Sequence, residues 1–233
     1  MDPVLLRPAT REDADAVATI HLAAREQAAP AWMPPGIHTE AEVRAWLGSR
    51  VDADEVWIAE VAGVPAAYAR LTPTWLDDLY VDPAYARQGI GSALLDLAKA
   101  QRPGGFCLWV FEMNAPARAF YARHGLVELE RTDGEGNEEQ APDIRMAWPG
   151  ERPLAFYRRL IDEVDEQLGD LLARRAALTA AVQEHKERPG RDPRRERGIA
   201  EAMARRAPAL GVDRLARILD AIITESLDAA AER

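Results

Sequence analysis

The residues in this chain whose spacing can do chemistry are three cations on one uninterrupted stretch and two glycines ahead of a helix. Residues 153–188 read PLAFYRRLIDEVDEQLGDLLARRAALTAAVQEHKER, with no proline after the first. On α-helical rise they span roughly 50 Å. Ile161, Leu168, Arg175 and Val182 recur every seven residues, as do Val164, Leu171, Leu178 and His185, so an apolar seam runs the length of the helix with Arg175 inside it. A guanidinium stays charged and is rarely buried alone, so Arg175 predicts a facing carboxylate, from the protein or from a ligand. Lys186 follows eleven residues later, three helical turns on and on nearly the same face. It is one of two lysines among 29 basic residues, a compact three-donor charge in a chain that otherwise uses arginine. Arg158 lies seventeen residues before Arg175, roughly 25 Å along one helix. Both can serve one small ligand only if Arg158 arrives from a second subunit.

The glycines sit in DPAYARQGIGSALLDLAKA, residues 82–100, where Gly89 and Gly91 open an amphipathic helix. Free N–H groups of a first helical turn, with the helix dipole behind them, suit a phosphate, and glycine lets the backbone come close. A dinucleotide turn is the rival reading, with Glu112 at a suitable distance after the next strand. Leu94 at the third glycine position, and the seven residues between Val81 and Gly89, count against it.

The elements that must hold these groups fall into two parts. Residues 1–150 carry 13 basic against 23 acidic side chains, and residues 151–233 carry 16 of each, so the net charge of −10 belongs to the first part. VLLRPA reads as a strand. Thr10 with Asp13 and Thr39 with Glu42 read as capping boxes that start helices running to about Ala29 and Arg50. EVWIAEV and VPAAYARLT form a hairpin across Ala62-Gly63, WLDDLYV is a further strand, DGEGNEEQAPD an exposed acidic loop, and DIRMAW the last strand. After the breaker-rich WPGERP no strand pattern returns. Asp192 and Pro193 start a second helix there, and Asp213 caps a third. About 80 residues in three helices cannot bury the long one, so a homodimer is expected. The N-terminus has no signal-peptide pattern, no run is long enough to span a membrane, and the single Cys107 reads as a buried, inert thiol. A cytoplasmic protein without nucleic-acid or membrane partners is expected.

LYVDPAYARQGIGSALL followed by LWVFEMNAPARAFYARHGL resembles the GNAT superfamily of N-acetyltransferases, over residues 3–148. The resemblance implies acetyl-CoA as co-substrate. Its pyrophosphate would rest on Arg87, Gln88, Gly89, Ile90, Gly91 and Ser92, and its pantetheine arm would pair with Leu79 to Val81 and meet Asn114. Tyr121 would be the phenol that protonates the departing thiolate. An amine attacking a thioester must lose a proton, for which Asp77, Asp78 and Glu112 are candidates. Ala86 departs from the family, where Gln or Arg commonly starts the loop.

FYRRLIDEVDEQLGDLLARRAALTAAVQEHK, PGRDPRRER and IITESL are similar to the all-helical class of chorismate mutases, an intertwined dimer of three-helix chains, over residues 155–228. The resemblance places Arg158, Arg175, Lys186, Asp192, Arg195, Glu196 and Ser226 on active-site positions. Arginines would clamp the two carboxylates of chorismate, Lys186 would donate to the ether oxygen, and Glu196 with Asp192 would take the hydroxyl or orient cations. The rearrangement to prephenate needs no cofactor. Ala230 stands where the family presents Gln or Glu, a lost donor worth about 10²- to 10³-fold in rate.

The expectation is therefore a bifunctional enzyme with two domains. Residues 1–149 form an α/β (α+β) acetyltransferase with a mixed sheet and flanking helices, and residues 150–233 an all-α mutase that dimerises the chain. Alternatives for the second are a chorismate analogue (amino or iso form) as substrate, or a dimerisation or metabolite-sensing module. An acetyl-CoA-binding domain without catalysis is the alternative for the first.

Overall fold

The computed structural model describes residues 3–185 and 191–231. The chain divides into two compact units, Met1–Tyr157 and Arg158–Arg233.

In the first unit, β1 (Val4–Pro8), β2 (Glu55–Val61), β3 (Val64–Leu71) and β4 (Leu76–Val81) form an antiparallel sheet in chain order. Ala62 and Gly63, with φ of 51° and 78°, make the two-residue hairpin between β2 and β3. Two helices, α1 (Ala14–Ala28) and α2 (Glu40–Ala53), bury Val17, Ile20, Leu47 and Val51 against Val56, Ile58 and Tyr68 of that sheet. The Thr39–Glu42 box forms as expected, the Thr39 N–H donating to Glu42 Oε2 at 2.8 Å. At the first box Asp13 accepts from the Thr10 N–H and also from both terminal nitrogens of Arg7, each at 2.7 Å. A short 3-10 turn, Arg11–Asp13, precedes α1 there.

β5 (Phe106–Phe111), β6 (Val127–Arg131) and β7 (Asp143–Trp148) form a second antiparallel sheet in the order β5-β7-β6. Strand β6 was not expected from the sequence, because VELER is exposed along its whole length and shows no buried face to read. The two sheets meet at one parallel bridge, Trp75 with Cys107, where the Cys107 N–H donates to Thr74 O at 2.9 Å. The assembled sheet is therefore mixed. Beyond the bridge no ladder joins β4 to β5 among the described residues, so the edge of β4 at Leu79–Val81 has no neighbouring strand. Two further helices, α3 (Ile90–Gln101) and α4 (Ala115–Arg123), pack on these sheets. Ile90, Leu94, Leu95 and Ala98 of α3 enter the core with Leu71, Phe106, Leu108 and Ile144. Cys107 is buried, as its apolar strand predicts.

The second unit holds α5 (Pro153–Glu184), α6 (Pro193–Arg206) and α7 (Gly211–Ala231). The first turn of α5 belongs to the first unit. Phe156 is buried on Gly105, where an added Cβ would stand 2.5 Å from Phe156 Cδ2 and where φ is +92°. Asp192 caps α6, accepting from the N–H groups of Arg194 and Arg195 at 3.0 and 3.1 Å. Ala200 packs with Leu219 and Ile223 between α6 and α7. Within the single chain the α5 seam is open: Ile161, Val164, Leu168, Leu171, Leu178 and Val182 are all exposed, Leu171 at 60%.

Candidate functional site

The loop after β4 is built to turn its backbone outward. The Asp82 carboxylate accepts the Ala84 N–H at 2.8 Å and fixes a short turn, Pro83–Tyr85. Arg87 and Gly89 then take φ of 65° and 84°, reversing the chain into α3. No side chain caps α3, and its first intrahelical bond runs from the Ala93 N–H to Gly89 O, so the amides of Ile90, Gly91 and Ser92 have no acceptor in the helix. No atom stands within 4 Å of where a Gly89 Cβ would be, and the left-handed φ there favours glycine. Open space, outward amides and a helix dipole together fit an anionic diphosphate. Leu79 and Val81 come close to Gly91, with Val81 Cγ2 at 3.5 Å from a Cβ built there. Gln88 reaches back to Ala84 O at 3.5 Å.

His124, which the sequence reading passed over, ties this loop to α4. Its Nδ1 donates to Phe120 O at 2.8 Å, so in the neutral ring Nε2 accepts the Ser92 hydroxyl at 3.0 Å. Asn114 caps α4, its side-chain oxygen accepting the Ala117 N–H at 3.1 Å, which leaves the amide nitrogen for a ligand.

Behind β4 lies a cavity of about 850 Å³, walled by α1, the segment leading into α2 and its first two turns, Asp78 and Tyr80 of β4, and Glu138 and Glu139. The acidic loop is thus a wall of the cavity as well as a solvated surface. It is held there at 2.8 Å by the ion pair of Arg25 with Glu139 and by the hydrogen bond between His38 and Glu138. Of the three candidate bases only Asp78 lines this cavity. Asp77 lies 3.8 Å from Arg70, and Glu112 is paired with Arg131 at 2.6 Å.

Asp78 is 8% exposed. The Arg70 Nε donates to its Oδ2 at 2.5 Å, while Oδ1 has no hydrogen-bond partner among the described residues. Burial raises the Asp78 pKa above the ordinary carboxylate range, and the Arg70 charge opposes that rise. Arg70 also holds Asp54 at 2.9 Å and lies 5.0 Å over the Trp46 ring. Tyr121 is buried, and its hydroxyl makes no hydrogen bond among the described residues. Burial, with Tyr80 and Asp78 nearby, raises its pKa and keeps the phenol protonated. His21 shares a 2.8 Å hydrogen bond with Tyr68 and sits 4.5 Å from the Tyr80 ring. Burial, with Arg25 and Arg70 adding to it, lowers its pKa to about 4. His21 was legible in principle, since it follows Val17 by one turn on the buried face of α1.

In the second unit Arg175 meets polar groups of its own chain where a carboxylate was expected. Its Nη1 donates to Ser226 Oγ at 2.7 Å and to Ile222 O at 3.2 Å, two neutral acceptors that satisfy a seam cation. Ser226 is buried and donates in turn to Ile222 O at 2.6 Å. Glu196 is held by Arg191 at 2.6 Å, and Arg191 also meets Asp220 at 2.6 Å. Arg191 was missed because four other arginines stand within six residues of it. Arg158 and Arg195 are exposed, and Lys186 lies outside the described residues.

Residues 52–128 match the family model described as an acetyltransferase (GNAT) domain, and residues 157–230 match that of chorismate mutase type II. An N-acetyltransferase of Methanocaldococcus jannaschii is 32% identical over 104 residues, 38% of this chain and 46% of that protein. The N-acetyltransferase YafP of Escherichia coli is 27% identical over 95 residues, 40% of this chain and 55% of that protein. The chain thus spans about half the length of the curated relatives it matches. Among solved structures, a GCN5-related N-acetyltransferase from Rhodopseudomonas palustris superposes with a TM-score of 0.55 at 26% identity, covering 64% of this chain and 97% of that one. YncA of Salmonella typhimurium, solved with acetyl-CoA, superposes with a TM-score of 0.50 at 18% identity, covering 63% and 94%. The chain carries a GNAT N-acetyltransferase domain followed by a type II chorismate mutase domain.

Proposed function

We propose that the first unit transfers an acetyl group from acetyl-CoA to an amine, with Asp78 as base and Tyr121 as acid. The carrying observation is the free Oδ1 of a buried carboxylate facing a cavity of substrate size. Leu79 to Val81, the Arg87–Ser92 loop and Asn114 would hold the co-substrate. Asp78 would accept a proton from the incoming ammonium, freeing its lone pair to form the C–N bond at the thioester carbonyl. As the C–S bond breaks, Tyr121 would protonate the thiolate and recover its proton from the nitrogen of the adduct. Thiol release from acetyl-CoA with an amine panel tests this. Asp78→Asn and Tyr121→Phe should each lower kcat by about 10²-fold or more, and unchanged turnover in either refutes that residue's role.

For the second unit we propose conversion of chorismate to prephenate by a homodimer joined through the helices. The exposed seam of α5 supports the dimer, since a helix this apolar on one stripe needs a partner. Arg175, Lys186, Arg195, Glu196, Asp192 and Ser226 of one chain, with Arg158 of its partner, would form the pocket. Substrate would replace Ser226 and Ile222 O as acceptors for Arg175. Ala230 favours a second reading, a chorismate-binding module without turnover or one taking an amino or iso analogue. Loss of chorismate absorbance, abolished by Arg175→Ala, supports the mutase. Calorimetric binding without turnover supports the sensor. One buried cysteine fits a reducing, cytoplasmic setting.

A further inference from the structure

The cavity behind β4 has no cationic group left for an anion. Its lining carries five carboxylates, Glu26, Glu42, Asp78, Glu138 and Glu139, against one guanidinium and two imidazoles. Arg25 is engaged by Glu139 and His38 by Glu138. Glu42 serves the Thr39 cap. Each of the five keeps at least one oxygen without a hydrogen bond among the described residues, and two stand apart from the rest. One is Asp78, the most buried of the five, with its side chain 9% exposed. The other is Glu26, which is exposed and makes no hydrogen bond or ion pair among the described residues. Tyr80 and Trp46 add ring faces that attract organic cations.

We propose that the acceptor is an organic dication: a reacting amine that meets Asp78, joined by an apolar chain to a second positive charge that meets Glu26, with no carboxylate or phosphate of its own. The inference rests on the acetyl-transfer reading and names the substrate class of that same site. A negative group on the acceptor would face carboxylates without a compensating cation, a juxtaposition that costs several kcal/mol.

Three amines of equal length separate the charge at the far end from everything else: 1,5-diaminopentane, pentylamine and 5-aminopentanoate. Thiol release from acetyl-CoA by the full-length protein gives kcat/KM for each. The diamine should exceed the amino acid by at least about tenfold, with pentylamine between. Salt should narrow the spread. Glu26→Gln should reduce the ratio of diamine to pentylamine. Equal use of the amino acid and the diamine overturns the dication assignment while leaving acetyl transfer intact. A ratio unmoved by Glu26→Gln overturns the role of Glu26. Thiol release with none of the three, at saturating acetyl-CoA, overturns both readings.

Discussion

Protonating His21 should loosen the first unit, by an amount the site itself sets. The imidazole is 7% exposed and shares its Nδ1 with the Tyr68 hydroxyl. Arg25 and Arg70 are both close enough to repel a second cation. Its pKa falls from 6.5 in the unfolded chain to about 4 in the fold. The folded state therefore binds fewer protons, and stability present above pH 6.5 is lost as pH falls toward 4. Between pH 7.5 and pH 5 the loss is about 2 kcal/mol, from about 1.4 kcal/mol per pH unit across most of that window. Asp13 does not interfere. Arg7 holds its pKa down to about 2, so its contribution disappears only below the unfolded value of 3.8. All six tryptophans lie between Trp32 and Trp148, so urea denaturation followed by tryptophan fluorescence reports this unit and is blind to the helical one. His21→Asn keeps an acceptor for Tyr68 and removes the titration. Wild type should lose about 2 kcal/mol more than the variant between the two pH values. An equal loss in both proteins would refute the argument.

Other perturbations test neighbouring parts. Arg70→Gln removes the charge that opposes the rise in the Asp78 pKa, so the acidic limb of kcat/KM should move up by roughly one pH unit or more. Arg70→Lys should move it less, and an unmoved limb in Arg70→Gln would separate Arg70 from the base. Gly89→Ala forces a side chain into left-handed backbone at a cost of about 1–2 kcal/mol. It should weaken acetyl-CoA binding, measured by calorimetry, without lowering the melting temperature of α6 and α7. Leu171→Glu, at the most open point of the α5 seam, should convert a dimer to a monomer in sedimentation. A monomeric wild type would refute the dimer outright.

The sequence read the parts of this protein that are written locally. Gly89 and Gly91 announced the entrance to α3, and Thr39 with Glu42 announced the start of α2. Asp192 with Pro193 announced the start of α6. Each of these depends on residues no more than four apart, within one helical turn. The seven-residue recurrence from Ile161 to Val182 likewise fixed which stripe of α5 is apolar. β6 escaped because an edge strand exposed throughout has no alternation to detect.

The acceptor cavity was illegible for a different reason. His21 with Arg25, Arg70 with Asp78, and Glu139 come from three stretches separated by tens of residues, and no periodicity links one stretch to another. Asp77 and Asp78 looked equivalent as neighbours in one strand. Only the fold distinguishes them, giving one carboxylate a free oxygen in the cavity and leaving the other outside it. The same holds for Arg175. Its place in the seam was set by spacing, but the acceptors that satisfy it, Ser226 and Ile222 O, come from a helix 47 to 51 residues away. Local chemistry fixes the elements and their apolar faces. Partners for buried charges depend on which distant elements pack together, and that was decided by the tertiary structure.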